Sequence, residues 1–240
     1  MIKITINDSL LPIDNISKIL NRGDPILIFD DSSREGETDI FFSAKHVNSV
    51  NVKFLRKEGG GMVFLASSHL ASEKLGLPFA QDMYHSLIQD SEGFDLIEIM
   101  LSHTLPYDTR SSFSLFINHK DTFTGITDDD RSLTARLFAE LVDESTNLSE
   151  EEARFRLASS FRIPGHVPVC IADKDILKGR QGHTELIVAL MKYARLTPVA
   201  LGCEMLSDNG KALPPEEARF WAEERGHLFL EGRQIVEKCQ

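Results

Sequence analysis

The chain has 240 residues, 42% of them hydrophobic and 26% charged, enough to bury a core in one large domain or two small ones. Its formal net charge of −11 repels phosphate backbones and anionic lipid, so neither nucleic acid nor membrane is expected as the main partner, and an anionic ligand must be held by a few local cations. The three cysteines, Cys170, Cys203 and Cys239, are scattered and form no CxxC pair, which excludes a disulfide framework or zinc cluster and fits a reducing cytoplasm.

The opening MIKITINDSLLPIDNI lacks the basic region and long apolar core of a signal peptide. No run approaches the ~20 apolar residues of a membrane span. The pattern predicts a short helix over 16–22, capped by Asp14 or Asn15 and ended by Gly23. Buried strands are expected over 25–29 and 40–43. A helix over 47–58 is closed by three glycines at 59–61, and 62–66 reads as a strand. A short helix at 70–76 precedes Pro78. Residues 86–110 give no clear pattern. Residues 112–117 (SFSLFI) alternate as a half-buried strand does. A helix is predicted over 128–143, with Leu133, Leu137, Phe138, Leu141 and Val142 on its apolar face. Thr127 and Asp130 form a variant of a capping box at its start. Residues 150–158 read as a charged helix or a mobile segment. Then follow a strand at 167–172, an amphipathic helix at 184–195 and a strand at 199–205. A final helix at 214–225 has proline early and Gly226 after its end. No repeat or linker divides the chain. The interleaving predicts an α/β (α+β) fold, a single three-layer domain over 1–240 with a mixed β-sheet flanked by helices.

Residues 30–39, DDSSREGETD, place five carboxylates and one arginine directly after a buried strand. In extended chain Glu35, Glu37 and Asp39 point to one side, about 6–7 Å apart. One ion cannot take all three directly, but a magnesium-like site needs only one or two. The plain alternative is a solvated acidic turn. At 179–186, GRQGHTEL opens a helix whose first N–H groups, Arg180 and the Thr184 hydroxyl form a phosphate cradle. His183 there offers a metal ligand or a proton carrier. The alternative is an ordinary helix start capped by Thr184. In FRIPGHVPV (161–169), His166 stands at the mouth of a strand, as a proton carrier or simply a turn residue. In LGCEML (201–206), Glu204 lies within an apolar strand; it points to water, or it has a raised pKa that suits a general base. In TFTGITDDDRSLT (122–134), Thr124 and Thr127 offer hydroxyls to a ligand, while Asp128, Asp129 and Asp130 suit the helix dipole without any function.

The segments REGETD (34–39), FTGIT followed by D-R (123–131), RIPGHV (162–167), RQGHTE (180–185) and CEM (203–205) occur in one order. Together the chain resembles 3,4-dihydroxy-2-butanone 4-phosphate synthase of riboflavin biosynthesis, above all its stand-alone archaeal form, over about 16–232. The resemblance implies Mg2+ or Mn2+ on Glu35 and His183. It implies sugar-phosphate contacts from Arg34, Asp39, Arg180, Gly182 and Thr184 and catalytic roles for His166 and Glu204. The residues themselves add Thr124 and Gln181 as substrate contacts, Glu35, His183 and Glu204 beside the substrate, and Glu37 as a further proton carrier. The resemblance also implies a homodimer with active sites at the subunit interface, a small sugar phosphate as ligand and no redox cofactor. Two departures stand out: Phe64 occupies a position where many members carry cysteine, and 143–154 matches no motif of the family. The expected reaction converts ribulose 5-phosphate to formate and 3,4-dihydroxy-2-butanone 4-phosphate. The alternatives are another metal-dependent sugar-phosphate isomerase or aldolase, and a non-catalytic ion-binding module.

Overall fold

The computed structural model describes residues 13–90, 93 and 95–240. Of the stretch read against a leader, residues 1–12 lie outside them. A seven-stranded mixed sheet runs through the described residues in the order β4-β5-β3-β6-β2-β1-β7. Its strands are β1 (Ile26–Phe29), β2 (Thr38–Ser43), β3 (Phe64–Ser67), β4 (Phe113–His119), β5 (Phe161–Ile171), β6 (Val199–Glu204) and β7 (Leu228–Glu231). β1 with β7 and β3 with β5 are parallel, and the other pairs are antiparallel.

The central strands β1, β2, β3 and β6 are buried on both faces, so successive side chains feed two cores. Leu27, Ile40, Phe42, Leu65, Val169 and Leu201 face one; Ile26, Ile28, Phe41, Ala66 and Ala200 face the other. The first core is covered by α2 (Ser49–Glu58), α3 (His69–Leu75), α6 (Asp128–Ser145), α7 (Glu150–Ser160) and α9 (Pro215–Arg225). The second is covered by α1 (Ile13–Asn21), α8 (His183–Tyr193) and α10 (Gly232–Cys239). This is the three-layer arrangement expected.

Several boundaries differ from the sequence reading. α1 begins at Ile13, ahead of both residues expected to cap it. The helix expected over 47–58 starts two residues later, as α2, behind a separate 3₁₀ turn (Ala44–His46). Asn48 interrupts them because it caps α2 reciprocally: its Oδ1 accepts from Val50 N–H at 2.8 Å, and Asn51 Oδ1 accepts from Asn48 N–H at 2.9 Å. Residues 150–158 are helical, with a Ser149/Glu152 capping box at the start of α7. The unmatched segment 143–154 is therefore the turn from α6 into α7, pinned where Lys45 and Thr197 donate to Asp143. The unread region holds the end of α4 (Ala80–Asp90) and all of α5 (Asp95–Leu101). β7 and α10 escape pattern reading, since a four-residue apolar strand shows no period.

Candidate active site

The loop from β1 to β2 carries the acidic stretch, and its first residue shapes it. Asp30 is buried at the end of β1. Its carboxylate accepts from the backbone N–H of Glu35 at 3.1 Å, of Glu37 at 3.0 Å, and from Arg34 at 3.3 Å. Asp31 accepts from the Ser33 N–H and hydroxyl. The chain is thus drawn into a turn, and the extended alternation expected of Glu35, Glu37 and Asp39 does not hold. All three nonetheless line one cavity of about 410 Å³. Sequence reasoning misses Asp30 because its work is done through backbone groups five and seven residues on.

α8 presses His183 against this loop. Gly182 is the N-cap and His183 the first helical residue, so Thr184 is not the cap but lies buried in the first turn, lining the cavity. His183 Nε2 lies 3.1 Å from the Glu37 carbonyl, an acceptor only, so this nitrogen carries a hydrogen. Nδ1 faces Glu35 Oε2 at 3.0 Å. Burial pushes the imidazole pKa down, but Asp39, Glu35 and Asp30 outweigh it and raise it to about 9. Burial pushes Glu35 up, but His183, Arg34 and Arg180 hold it below the ordinary value. Donor atoms of Asp30, Glu35 and His183 lie within 4.8 Å of one another. The carboxylates that hold a proton on His183 equally favour a divalent cation in its place. Asp30 is already committed to backbone N–H groups, which leaves Glu35 and His183 as the available donors.

Behind this pair, Asp39 on β2 is paired with Glu204 on β6. Asp39 Oδ1 is buried without a hydrogen-bond partner, 3.7 Å from His183 Nε2. Burial, and then Glu204, hold the Asp39 carboxyl well above the usual range against the pull of His183. Glu204 ends β6 half-buried rather than pointing freely to water. Burial, with Glu37 and Glu35 beside it, raises its pKa. Glu37 is raised too, by burial and then by Glu35.

Two guanidinium groups complete the cavity. Arg180 donates to Glu185 at 2.8 Å and to Asp108. Arg34 donates to Asp108 at 3.1 Å and lies 5.3 Å from the Tyr107 ring centroid. Glu185 is fully buried and also accepts from the N–H groups of Gly182 (3.1 Å) and Asp173 (2.8 Å), so it orients Arg180 and the loop together. The Gly182 N–H is therefore not free for a phosphate. Its lack of a Cβ matters instead, because a Cβ would stand 2.8 Å from Arg34 and 3.1 Å from Arg180. Gln181 points away, donating to the Leu177 carbonyl at 2.9 Å. Met62, Phe64, Phe113 and Cys170 form an apolar wall. Burial pushes the Cys170 thiol up to about 12, which excludes it as a nucleophile near neutral pH.

Thr124 and His166 do not line this cavity; they form a second group on the β4–β5 pair. Pairing there jumps from Ile117↔Val167 to Asn118↔Arg162, which leaves 163–166 bulged from β5. His166 is exposed on that bulge, not at a strand's mouth, because β5 already begins at Phe161. The Asn118 side chain supports it, accepting from His166 N–H at 2.9 Å, with Nδ2 3.0 Å from His166 Nδ1. Gly125 packs so closely on Asn118 that a Cβ would meet its Nδ2 at 2.0 Å. Asp130 closes the same loop, accepting from the Phe123 and Gly125 N–H groups and the Thr124 hydroxyl. The Thr127 hydroxyl accepts from Asp130 N–H at 3.1 Å, as the capping reading expects, but the Asp130 carboxylate is turned to this loop instead.

The family model for 3,4-dihydroxy-2-butanone 4-phosphate synthase matches residues 14–238. The protein of that name from Methanosarcina mazei is 43% identical over 226 residues, 94% of this chain and 90% of the relative. Its counterpart from Archaeoglobus fulgidus is 42% identical over 229 residues, 95% of this chain and 94% of the relative. A crystal structure of 3,4-dihydroxy-2-butanone 4-phosphate synthase in complex with two magnesium ions shares the fold with a TM-score of 0.70, at 21% identity and over 95% of this chain and 96% of that one. Likeness at this level of identity runs through nearly the full length of both archaeal relatives, and the chain belongs to the 3,4-dihydroxy-2-butanone 4-phosphate synthase family.

Proposed function

We propose that residues 1–240 form a single catalytic domain, a lyase that converts D-ribulose 5-phosphate to formate and L-3,4-dihydroxy-2-butanone 4-phosphate in riboflavin biosynthesis. The observation that carries this reading is convergence. One cavity gathers a donor pair (Glu35, His183), a carboxyl of raised pKa (Glu204) and two guanidinium groups (Arg34, Arg180). A non-catalytic ion-binding module needs no such carboxyl beside its donors.

Glu35 and His183 would hold Mg2+ or Mn2+, which supplies Lewis-acid polarisation of the sugar's carbonyl and hydroxyl oxygens. Arg180 and Arg34 bind the phosphate as charged, multidentate donors, with Thr184 beside them. This fixes the sugar with its carbonyl end toward the carboxylates. Glu204 removes the proton from the carbon next to the carbonyl, a task its raised pKa suits. Glu37, also raised and in the same wall, returns a proton to the departing hydroxyl. Asp39, behind both, is placed to hold a sugar hydroxyl. Water loss, a shift of the carbon skeleton, return of water and release of the fourth carbon as formate complete the sequence. The water cancels and the two products together contain the atoms of the substrate, so no redox cofactor is required.

The family resemblance implies a homodimer with shared sites, and the exposure of the second group supports it. Phe123, next to Thr124, is 92% exposed, and Ile163, on the bulge with His166, is 60% exposed. A partner protomer seated there would bring its Thr124 and His166 to this cavity. The protein acts on a small sugar phosphate, with neither nucleic acid nor membrane as partner, in the cytoplasm. No helix among the described residues is long and apolar enough to cross a membrane. The test is formate release from ribulose 5-phosphate by the purified protein with Mg2+, abolished by exhaustive chelation. Consumption of substrate without formate would place the chain among isomerases or aldolases; full activity after chelation would remove the metal from the reading.

A further inference from the structure

Asp108 stands 72 residues or more from the arginines it bridges, on the segment between α5 and β4. Each arginine has a second and more deeply buried carboxylate: Glu185 for Arg180 and Asp30 for Arg34, both with fully buried side chains. Arg34 also meets Glu35 at 3.0 Å, which belongs to the donor pair with His183; of the other three carboxylates Asp108 is the most exposed, at 10%. It stands on irregular backbone, as Asp30 does and Glu185 on α8 does not, but the Asp30 N–H is tied to the Glu37 carbonyl at 3.2 Å. Among the described residues, no backbone–backbone hydrogen bond ties 104–111 to the rest of the chain. The segment is held by side chains alone: Asp108 on the two arginines, Tyr107 against Arg34, and Arg110 over the Phe79 ring at 3.7 Å with Asp173 at 3.8 Å. Leu105 and Tyr107 line the cavity, so whatever anchors Asp108 also lays this strap over the substrate's space.

We propose that Asp108 is a specificity-determining residue, an exchangeable anion on the site that the substrate's phosphate must take. The inference rests on the reading of Arg34 and Arg180 as the phosphate residues. A phosphate bridging both guanidinium groups competes with Asp108 for Arg34 Nη2 and Arg180 Nε, while Glu185 and Asp30 keep both arginines in place. A phosphate carries about −1.5 to −2 charge at neutral pH and more acceptor oxygens than a carboxylate, so it displaces a single carboxylate effectively. An unphosphorylated sugar brings no anion, and the strap stays closed over the cavity. Opening is then a shift of equilibrium driven by the ligand's stronger interaction with the open state.

The experiment is calorimetric titration of inorganic phosphate onto the purified wild-type protein, Asp108→Asn and Arg180→Ala. Asp108→Asn keeps the side chain's shape and removes the competing charge, and should bind phosphate on the order of five- to tenfold more tightly. Arg180→Ala should lose phosphate binding. Phosphate binding that is absent from the wild type, or unchanged in Arg180→Ala, overturns the phosphate reading itself. Binding lost in Arg180→Ala but unchanged or weaker in Asp108→Asn overturns only the role of Asp108. A second measurement needs no variant: saturating phosphate should speed limited proteolysis within 104–111 in the wild type, and unchanged or slower cleavage there overturns the exchange of anions.

Discussion

At the scale of the residue, the site separates groups that bind from groups that react. Arg180 contacts a part of the substrate that does not change, and losing its charge-assisted contact removes roughly 1.5–3 kcal/mol. Arg180→Ala should therefore raise KM about ten- to a hundredfold, with a smaller loss of kcat from poorer orientation of the reacting carbons. Glu204→Gln keeps shape and polarity but not basicity, and kcat should fall by about 10²–10⁴ while substrate still binds. Near-normal turnover in that variant would take Glu204 out of the mechanism. The pH profile carries the same information. Glu204 acts deprotonated and its pKa lies above the ordinary 4.5, so kcat/KM should begin to fall with decreasing pH already above that value. Arg34, Glu35, His183 and Glu204 are legible in sequence because a charge beside glycine in a loop, or inside an apolar strand, calls for a partner. Asp30, Asp108 and Glu185 are not, because their roles depend on which distant groups they face.

At the scale of the element, the long helices announce themselves through the period of their apolar faces, as α6 and α8 do. β5 is misjudged because Pro164 and Gly165 read as a turn, whereas the structure admits them within the strand as a bulge. The junction of α2, α9 and β7 offers a test of packing alone. His227, just before β7, stacks on Trp221 at 5.6 Å and meets the Phe54 ring edge-on at 5.8 Å. Burial lowers its pKa from 6.5, and Asp24 reverses only part of the effect. The unfolded chain takes up this proton near 6.5, whereas the folded chain resists until lower pH. The stability held by neutral His227 is thus intact above about 6.5 and is lost as pH falls through the folded value. His227→Phe keeps the aromatic contacts and removes the titration. Melting temperature should drop less in this variant than in the wild type between about pH 7.5 and 5.5. Equal drops would show that His227 is not held neutral.

At the scale of the whole molecule, the fold divides the expected catalytic set. The sheet ends and α8 gather Glu35, Glu37, Asp39, His183 and Glu204 around one cavity, while the bulge on β5 carries His166 to an exposed apolar face. Motif order in a sequence cannot reveal this division, because it follows from which strands become neighbours. If the site is completed across a two-fold dimer, Glu204 of one protomer works with the partner's His166. His166→Ala and Glu204→Gln homodimers should then both be crippled. A heterodimer of the two, co-expressed with different tags and purified through both, concentrates both defects in one site and leaves the other intact. It should recover about half the wild-type kcat per dimer, as a closed two-fold assembly requires. If each site lay within a single protomer, every site in that heterodimer would carry one defect and no activity would return. A protein that stays monomeric and active at low concentration by light scattering would rule out the shared site at the outset.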